Sequence, residues 1–255
     1  MTAAVFFEEF PEQNHLAGLT FSQRPGPNRC LCLLRLAELA AALPESALPA
    51  ELAALLAAEE QERYAALPRA SRRVQWLGGR LVAKQALGHV LRQARGADYP
   101  PEGIVVIPGE SGEPLVRPWP DDDSVPPLVS ISHGGDFALA LAACRPPCGV
   151  DIQQVVPTLQ RVRHRFCTDS ELAVLERALP ALDECERLGL LWSAKEAGKK
   201  ALFPQRAGIA FLRLVAVAPD PPGWRLHLAE EEGDAWLHLH GRLLNDHCLA
   251  WTGEG

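Results

Sequence analysis

Three side chains of the stretch WSAKEAGKKAL, residues 192–202, could do chemistry together. Trp192, Glu196 and Lys200 recur at every fourth position, which places them on one face of a helix. Apolar residues precede and follow this stripe, so the helix is not wholly surrounded by water. A carboxylate and ammonium groups in that setting could bind a metal ion and phosphates. A solvated helix face with one Glu–Lys pair also explains the stripe when it is taken alone.

Asp151 is a second candidate acid. It lies in GVDIQQV between Val150 and Ile152, where β-branched neighbours indicate a strand. A buried and unpaired carboxylate is costly, whereas a cation would stabilise it. Mg²⁺ prefers one or two carboxylates together with phosphate oxygens. The alternative is an aspartate on an edge strand that faces water.

Ser132 and His133 lie in SISHGGDF, where a predicted strand ends at a glycine turn. A hydroxyl, an imidazole and exposed backbone N–H groups could hold a phosphate there. A serine next to a histidine does not by itself define a nucleophile and its base.

The sequence GKK at 198–200 is not a phosphate-binding loop. Such a loop requires a glycine where Ser193 stands and a serine or threonine where Lys200 stands. The flanking residues are also helical in character.

The composition is typical of a globular protein, with 255 residues of which 47% are hydrophobic and 22% charged. The net charge of −7 argues against a general nucleic-acid binder, so an anion would need a locally basic pocket. The first residues lack the basic region of a signal peptide, and no stretch is long and apolar enough for a membrane span. Seven scattered cysteines favour free thiols in the cytoplasm.

The elements that would position these residues follow the same order in both halves of the chain. Residues 48–67 and 70–94 have helical spacing, and short β-rich runs begin at residue 103. After Pro157 the chain becomes helical again, and residues 183–203 form the longest predicted helix of that half before four predicted strands. We therefore predict an α+β protein with two similar subdomains, residues 1–145 and 146–255.

The motifs Gly149-Val150-Asp151 and WSAKEAGKK resemble those of the Sfp-type 4′-phosphopantetheinyl transferases, G-[IV]-D and W-x-x-K-E-[AS]-x-x-K, at a separation of about forty residues. Weaker features follow the order that the family has. They are EEQER with Arg63, GGRLVAKQAL with Arg80 and Lys84, SGEPLV with Gly112 and Pro114, the ISH segment, and RFCTDSEL from Phe166 to Glu171. The resemblance spans residues 59–202.

The resemblance implies a pseudo-two-fold arrangement of the subdomains with the active site between them. It implies Mg²⁺-dependent transfer of 4′-phosphopantetheine from coenzyme A to a serine of an acyl- or peptidyl-carrier protein, by a cytoplasmic monomer. Asp151 and Glu196 would bind the metal, and Glu196 and Lys200 would be catalytic. The residues expected to contact the coenzyme are Arg63, Gly112, Pro114, Ser132, His133, Asp151, Lys195 and Lys200.

Two positions depart from the family pattern. Gln153 stands where many relatives carry a second acid, and Glu113 stands where they carry a lysine or arginine. These departures favour an alternative, a non-catalytic module that binds coenzyme A or a nucleotide. A third hypothesis is a structural α+β protein with a solvated lysine face.

An acidic carrier would also need a local basic patch, for which Arg69, Arg72 and Arg73 are candidates.

Overall fold

The computed structural model describes residues 10–44, 47–117 and 125–253. The start of the chain, for which we expect no signal peptide, therefore lies partly outside the described residues. The described chain divides into two compact units, Phe10–Pro146 and residues 147–253, called here the N-terminal and C-terminal units. Each unit combines helices with an antiparallel sheet, so the predicted α+β class is confirmed. No described helix has the length and apolar character that crossing a membrane requires.

The N-terminal unit is built on a five-stranded sheet in the order β1-β2-β3-β7-β6, with β4 and β5 as a separate hairpin. Its strands are β1 (Glu12–Leu16), β2 (Leu19–Pro25), β3 (Arg29–Arg35), β4 (Val106–Pro108), β5 (Pro114–Val116), β6 (Leu128–Gly134) and β7 (Phe137–Ala143). Its α-helices are α1 (Leu36–Ala42), α2 (Ala50–Ala53), α3 (Ala58–Ala65) and α4 (Ala70–Arg95).

Helix α4 forms the core of this unit against β3 and β7. Its apolar residues include Leu77, Leu81 and Leu87, which are almost completely buried, and this agrees with the helical spacing of residues 70–94. The helix ends at Gly96, whose φ of 66° is the left-handed conformation that commonly terminates helices.

The prediction of one continuous helix over residues 48–67 is wrong, because two short helices occupy this range. The carboxylate of Glu60 accepts the backbone N–H of Ala57 at 3.1 Å and so caps a new helix, α3, after the first one has ended. Glu60 is also bonded elsewhere in the unit, and such tertiary contacts override the helix propensity of the alanine-rich sequence.

The C-terminal unit has a five-stranded antiparallel sheet in the order β8-β12-β11-β10-β9. Its strands are β8 (Val150–Gln154), β9 (Leu212–Asp220), β10 (Gly223–Glu230), β11 (Trp236–Leu244) and β12 (His247–Thr252). Its α-helices are α5 (Thr158–Val162), α6 (Asp169–Ala178) and α7 (Glu184–Leu202). The four strands predicted after the long helix are therefore present.

Helices α6 and α7 both begin with reciprocal caps. The Thr168 hydroxyl accepts the N–H of Glu171, whose carboxylate accepts the N–H of Thr168 in return. Asp183 and Glu186 repeat this arrangement at the start of α7. Helix α7 then packs its apolar side, including Leu190 and Ala194, against the sheet. The caps and this packing fix where the stripe of Trp192, Glu196 and Lys200 lies.

Candidate active site

The start of β8 lies unusually close to α7. A Cβ atom at Gly149 would be 2.0 Å from the carbonyl oxygen of Ala197 and 2.8 Å from the Cβ of Ala201. Only glycine fits at this distance without displacing the helix or the strand. The backbone N–H of Gly149 also donates to the Thr252 hydroxyl at 3.1 Å, which ties β8 to the last strand. Asp151, two residues further along β8, is thereby held next to the C-terminal half of α7.

Lys200 joins the two motifs directly. Its ammonium lies 2.7 Å from Oδ1 of Asp151 and donates to the backbone carbonyl of Val150 at 3.0 Å. The Asp151 side chain is 9% exposed and that of Lys200 is 29% exposed. The hypothesis that Asp151 faces water from an edge strand is therefore wrong, because the side chain is buried against α7.

Glu196 lies one helical turn before Lys200 and is half-buried. Burial raises the pKa of its carboxyl group, and the negative charge of Asp151 raises it further, while Lys200 and Lys199 act in the opposite direction. The position of Glu196 follows from that of Lys200, which lies one helical turn further along α7 and contacts Asp151. The structure thus places Asp151, Glu196 and Lys200 in one region of the C-terminal unit.

The carboxylate oxygens of Asp151 and Glu196 are chemically suited to bind a magnesium ion. The described residues contain no group of three or more His, Cys, Asp and Glu side chains suited to a metal ion. Asp151 and Glu196 nevertheless form a pair of interacting carboxylates. Mg²⁺ is usually bound by one or two carboxylates, with waters and substrate phosphates completing its coordination. Gln153 lies two residues after Asp151 on β8, and its amide donates to the carbonyl of Gln154 at 2.8 Å.

Trp192, the first member of the stripe, contacts Phe166 edge to face, with ring centroids 4.9 Å apart. Phe166 is buried in the core of the C-terminal unit. This contact gives the tryptophan a packing role and links α7 to the segment that precedes α6.

The position of Lys195 contradicts the coenzyme contact that the resemblance implies for it. Its side chain is 0% exposed and lies 2.6 Å from Oε1 of Glu171. Its ammonium also donates to the backbone carbonyl of Phe166 at 2.6 Å. With no exposed surface, this lysine offers nothing for a coenzyme to touch, so we remove it from the set of candidate coenzyme contacts.

Ser132 and His133 are neighbours on β6 of the N-terminal unit. Adjacent side chains of a strand point to opposite faces, and here Ser132 is 7% exposed whereas His133 is exposed. The two side chains therefore do not form one cluster on a single face of the sheet.

Gly112 and Pro114 lie in the hairpin between β4 and β5. Gly112 has a φ of 86°, which favours glycine in this turn. Glu113, between them, bends back over the turn, where its carboxylate accepts the N–H of Ser111 at 2.9 Å. The hairpin itself therefore provides a hydrogen bond that stabilises the negative charge of Glu113.

Arg63 lies on α3 and lines a cavity of about 380 Å³. Three glutamates line the same cavity, so its surroundings are not strongly positive. They are Glu59, Glu60 and Glu62.

Arg80 is a candidate that the sequence analysis named only as part of a weaker motif. Its guanidinium lies 5.0 Å from the ring centroid of Trp76, and its Nε is buried without a hydrogen-bond partner among the described residues. Burial lowers the pKa of Arg80, and the nearby charge of Arg63 lowers it further, while Glu60 opposes both. Two neighbouring guanidiniums with an unsatisfied donor could receive an anion. The arginine in GGR is the sequence signal that points to this residue.

Comparison with known proteins supports the same chemistry. Residues 147–252 match the family model of the 4′-phosphopantetheinyl transferase superfamily. A search among curated proteins finds no match to the chain. The matched range begins two residues before Gly149 and ends at Thr252, so it includes Asp151, Glu196 and Lys200.

Proposed function

We propose that the chain transfers 4′-phosphopantetheine from coenzyme A to a serine of an acyl- or peptidyl-carrier protein, because residues 147–252 match the family model of the 4′-phosphopantetheinyl transferase superfamily. The observation that carries the proposal is the meeting of Asp151, Glu196 and Lys200 where β8 lies against α7. A carboxylate pair and an ammonium group are the set of charges that transfer of a phosphoryl group requires.

The reaction is an attack of the serine hydroxyl on the β-phosphate of coenzyme A. The new bond joins the serine oxygen to phosphorus, and the bond to the α-phosphate breaks, which releases adenosine 3′,5′-bisphosphate. Negative charge increases on the leaving phosphate, so groups that neutralise charge and fix the geometry provide most of the catalysis.

We propose that Asp151 and Glu196 hold Mg²⁺, which when bound would neutralise the pyrophosphate. Both side chains offer hard oxygen ligands. Lys200 already lies against Asp151 at 2.7 Å, so a positive charge is stable at this position in the protein.

We assign the proton transfer to Glu196. A general base works best when its pKa lies near the working pH. Burial and the charge of Asp151 shift the pKa of Glu196 in that direction. Its carboxylate would take the proton of the carrier serine as the oxygen attacks, directly or through one water.

Lys200 would stabilise the leaving phosphate with its ammonium. Its hydrogen bond to the carbonyl of Val150 limits how far the ammonium can move.

The N-terminal unit supplies the remaining proposed contacts to the coenzyme. We propose His133 and Arg63 as ligands of its 3′-phosphate. Ser132 would contribute through its backbone or hydroxyl, and the hairpin at Gly112 and Pro114 would contribute its backbone. Lys195 is no longer among these contacts.

We propose that the carrier protein contacts basic residues at the start of α4. Arg69 and Arg72 are exposed there, while Arg73 is bound through its Nε to the carbonyl of Leu67 at 2.8 Å. An acidic carrier would be attracted to such a surface even though the chain as a whole is acidic.

The seven cysteines, all within the described ranges, are free thiols, which fits the cytoplasm that we propose as the site of the reaction.

The test is a mass-shift assay with apo-carriers of several pathways, coenzyme A and Mg²⁺. The wild type should add one phosphopantetheinyl group to at least one carrier. Glu196→Gln should lower the rate by on the order of 100-fold or more and leave the circular dichroism spectrum unchanged. Glu176→Gln, which changes an exposed glutamate of α6, is the matched control and should transfer at the wild-type rate. Equal rates for Glu196→Gln and the wild type would sink the proposal.

The alternative, a non-catalytic coenzyme-binding module, is favoured by the amide at Gln153 and by the acid at Glu113. It predicts that coenzyme A binds with the same affinity with and without Mg²⁺, and that no carrier gains mass. Calorimetric titration of coenzyme A in the two conditions, beside the mass-shift assay, separates the two functions.

A further inference from the structure

The buried pair of Lys195 and Glu171 connects α7 to three other parts of the C-terminal unit. The ammonium lies 2.6 Å from Oε1 of the carboxylate, and both side chains are at most 3% exposed. Lys195 donates to the carbonyl of Phe166, in the turn before α6. Glu171 accepts the N–H of Thr168 at 2.8 Å and the N–H of Leu214, on β9, at 2.8 Å. Both members of the pair are therefore buried, and each has further hydrogen bonds to the backbone.

The N-terminal unit contains the same arrangement. Lys84 of α4 lies 2.7 Å from Oε2 of Glu60, and both side chains are at most 2% exposed. Lys84 donates to the carbonyl of Ile104 at 2.6 Å. Glu60 accepts the N–H of Ala57, where α3 begins, and the N–H of Val106 on β4. In both units a glutamate that caps one helix binds a lysine of the next, longer helix and a backbone N–H of the strand that follows.

The spacing in the sequence is identical in the two copies. Glu60 and Lys84 are 24 residues apart (84 − 60), as are Glu171 and Lys195 (195 − 171). The helices around the lysines share the pattern L-G-x4-A-K-x-A. This pattern is LGGRLVAKQA at 77–86 and LGLLWSAKEA at 188–197. Few other positions are identical between the two halves, so the repeat is recognised only when the two lysine–glutamate pairs are aligned.

The copies differ at the positions proposed to carry the chemistry. Gln85 follows the lysine of α4, whereas Glu196 follows the lysine of α7. Five residues after the lysine, His89 stands in α4 and Lys200 in α7. The N-terminal unit thus has the lysine–glutamate pair without the acid and the second lysine. A pair that is present without the chemical groups has a role in the architecture of the unit.

We propose that Lys195 is a positioning residue, which together with Glu171 fixes the rotation and depth of α7 so that Lys200 reaches Asp151 and Glu196 lies one turn before it, and that Lys195 does not contact the coenzyme. The connected elements explain how this works. The pair holds α7 against the turn at Phe166 and against β9 at Leu214, while Gly149 fixes the distance between α7 and β8. The kinetic consequence for catalysis rests on the proposed function.

A double-mutant cycle of Lys195→Met and Glu171→Gln tests this role. Each single variant leaves a buried charge without its partner, and its Tm should fall on the order of 10 °C. In the double variant no charge is buried. The amide introduced by Glu171→Gln has a single oxygen, so it can still accept only one of the two backbone N–H groups that the two carboxylate oxygens of Glu171 accept. The double variant should therefore recover about half of the lost Tm.

The kinetic readout is measured well below the lowest Tm of the set, where every variant is folded. A small displacement of Glu196 should lower kcat about 10- to 100-fold in both single variants and change the KM for coenzyme A by less than about twofold. The double variant should regain most of kcat. If Lys195 were a phosphate ligand, Lys195→Met would instead raise the KM strongly, Glu171→Gln would not, and the double variant would keep the high KM. That pattern overturns the proposal.

The second pair provides the matched control. Lys84→Met, Glu60→Gln and their double variant should show the same pattern in Tm but the kcat of the wild type. Equal losses of kcat in both cycles would mean that stability alone is affected, and would also overturn the positioning role. Melting curves and calorimetric binding of coenzyme A need no turnover. They decide whether Lys195 is a coenzyme ligand even if the wild type transfers nothing, an outcome that would refute only the proposed function.

Discussion

Lys200 and Asp151 are 49 residues apart in the chain, yet the ammonium of one lies 2.7 Å from Oδ1 of the other. The pair connects α7 to β8 two residues after Gly149, where the strand approaches the helix closely. Because a second hydrogen bond from the same ammonium goes to the carbonyl of Val150, the lysine holds both the side chain and the backbone of the strand. Removal of this one ammonium should therefore affect both stability and catalysis.

Lys200→Met should lower the transfer rate by on the order of 100-fold, because the leaving phosphate loses its cation. It should also lower the free energy of unfolding by about 1 to 3 kcal/mol, since the mostly buried Asp151 and the carbonyl of Val150 both lose the ammonium. The mass-shift assay and urea denaturation measure the two effects. Lys199→Met removes the neighbouring lysine and should change both far less. A variant of Lys200 with normal turnover would contradict its role.

The pH dependence of transfer should follow the ionisation of Glu196. Burial and the charge of Asp151 raise the pKa of this carboxyl group, so the rate should fall as the pH decreases through a value above the ordinary 4.5. Asp151→Asn removes one cause of the shift. Whatever activity remains in that variant should therefore persist to lower pH than in the wild type. An acid limb that does not move would contradict the coupling between the two acids.

The raised pKa of Glu196 also predicts how the stability of Glu196→Gln depends on pH. The folded protein binds the proton of Glu196 more tightly than the unfolded chain does, so this residue stabilises the fold less as the pH rises from 4.5 to the raised pKa. Glutamine stays neutral at every pH. The variant without metal should therefore have a higher Tm than the wild type at about pH 7.5, and the difference should disappear below about pH 4. Differential scanning calorimetry at several pH values measures it.

Gly149→Ala and Gly88→Ala should have opposite effects on stability. A Cβ at Gly149 would lie 2.0 Å from the carbonyl oxygen of Ala197. That change should lower the free energy of unfolding by about 3 kcal/mol and reduce turnover, because β8 must move away from α7. A Cβ at Gly88, inside α4, would lie 3.8 Å from the nearest atom of Ile104. That change should raise stability by about 0.5 to 1 kcal/mol. A Gly149 variant as stable and active as the wild type would show that the close approach is unimportant.

The sequence was sufficient to predict the α+β class and the long helix of the C-terminal half. Helical periodicity places Glu196 and Lys200 on one face, and a carboxylate in an apolar strand suggests a cation nearby. Such local patterns do not show which of several lysines is buried. Lys195 and Lys199 are both flanking residues in the sequence, but only Lys195 has Glu171 within 2.6 Å.

Tertiary contacts also explain the wrong helix prediction. Alanine-rich residues 48–67 have a high helix propensity, and nothing in their spacing reveals that Glu60 binds Lys84 and the N–H of Val106. The interruption between α2 and α3 places Glu60 at the start of a helix, where its carboxylate can bind Lys84 and the N–H of Val106. Because these bonds connect residues distant in the sequence, the repeated lysine–glutamate pairs became visible only in three dimensions.

The position of β8 at the edge of its sheet has a consequence for synthesis of the protein. Among the described strands of the C-terminal unit its only neighbour within the sheet is β12, in which Ala250 pairs with Asp151. The hydroxyl that binds the N–H of Gly149 belongs to Thr252, 103 residues later in the chain. On the ribosome, β8 has to wait until β12 has emerged, and contacts so distant in sequence form slowly because the loop that they close is long. Asp151 should therefore reach its place only after β12 has formed.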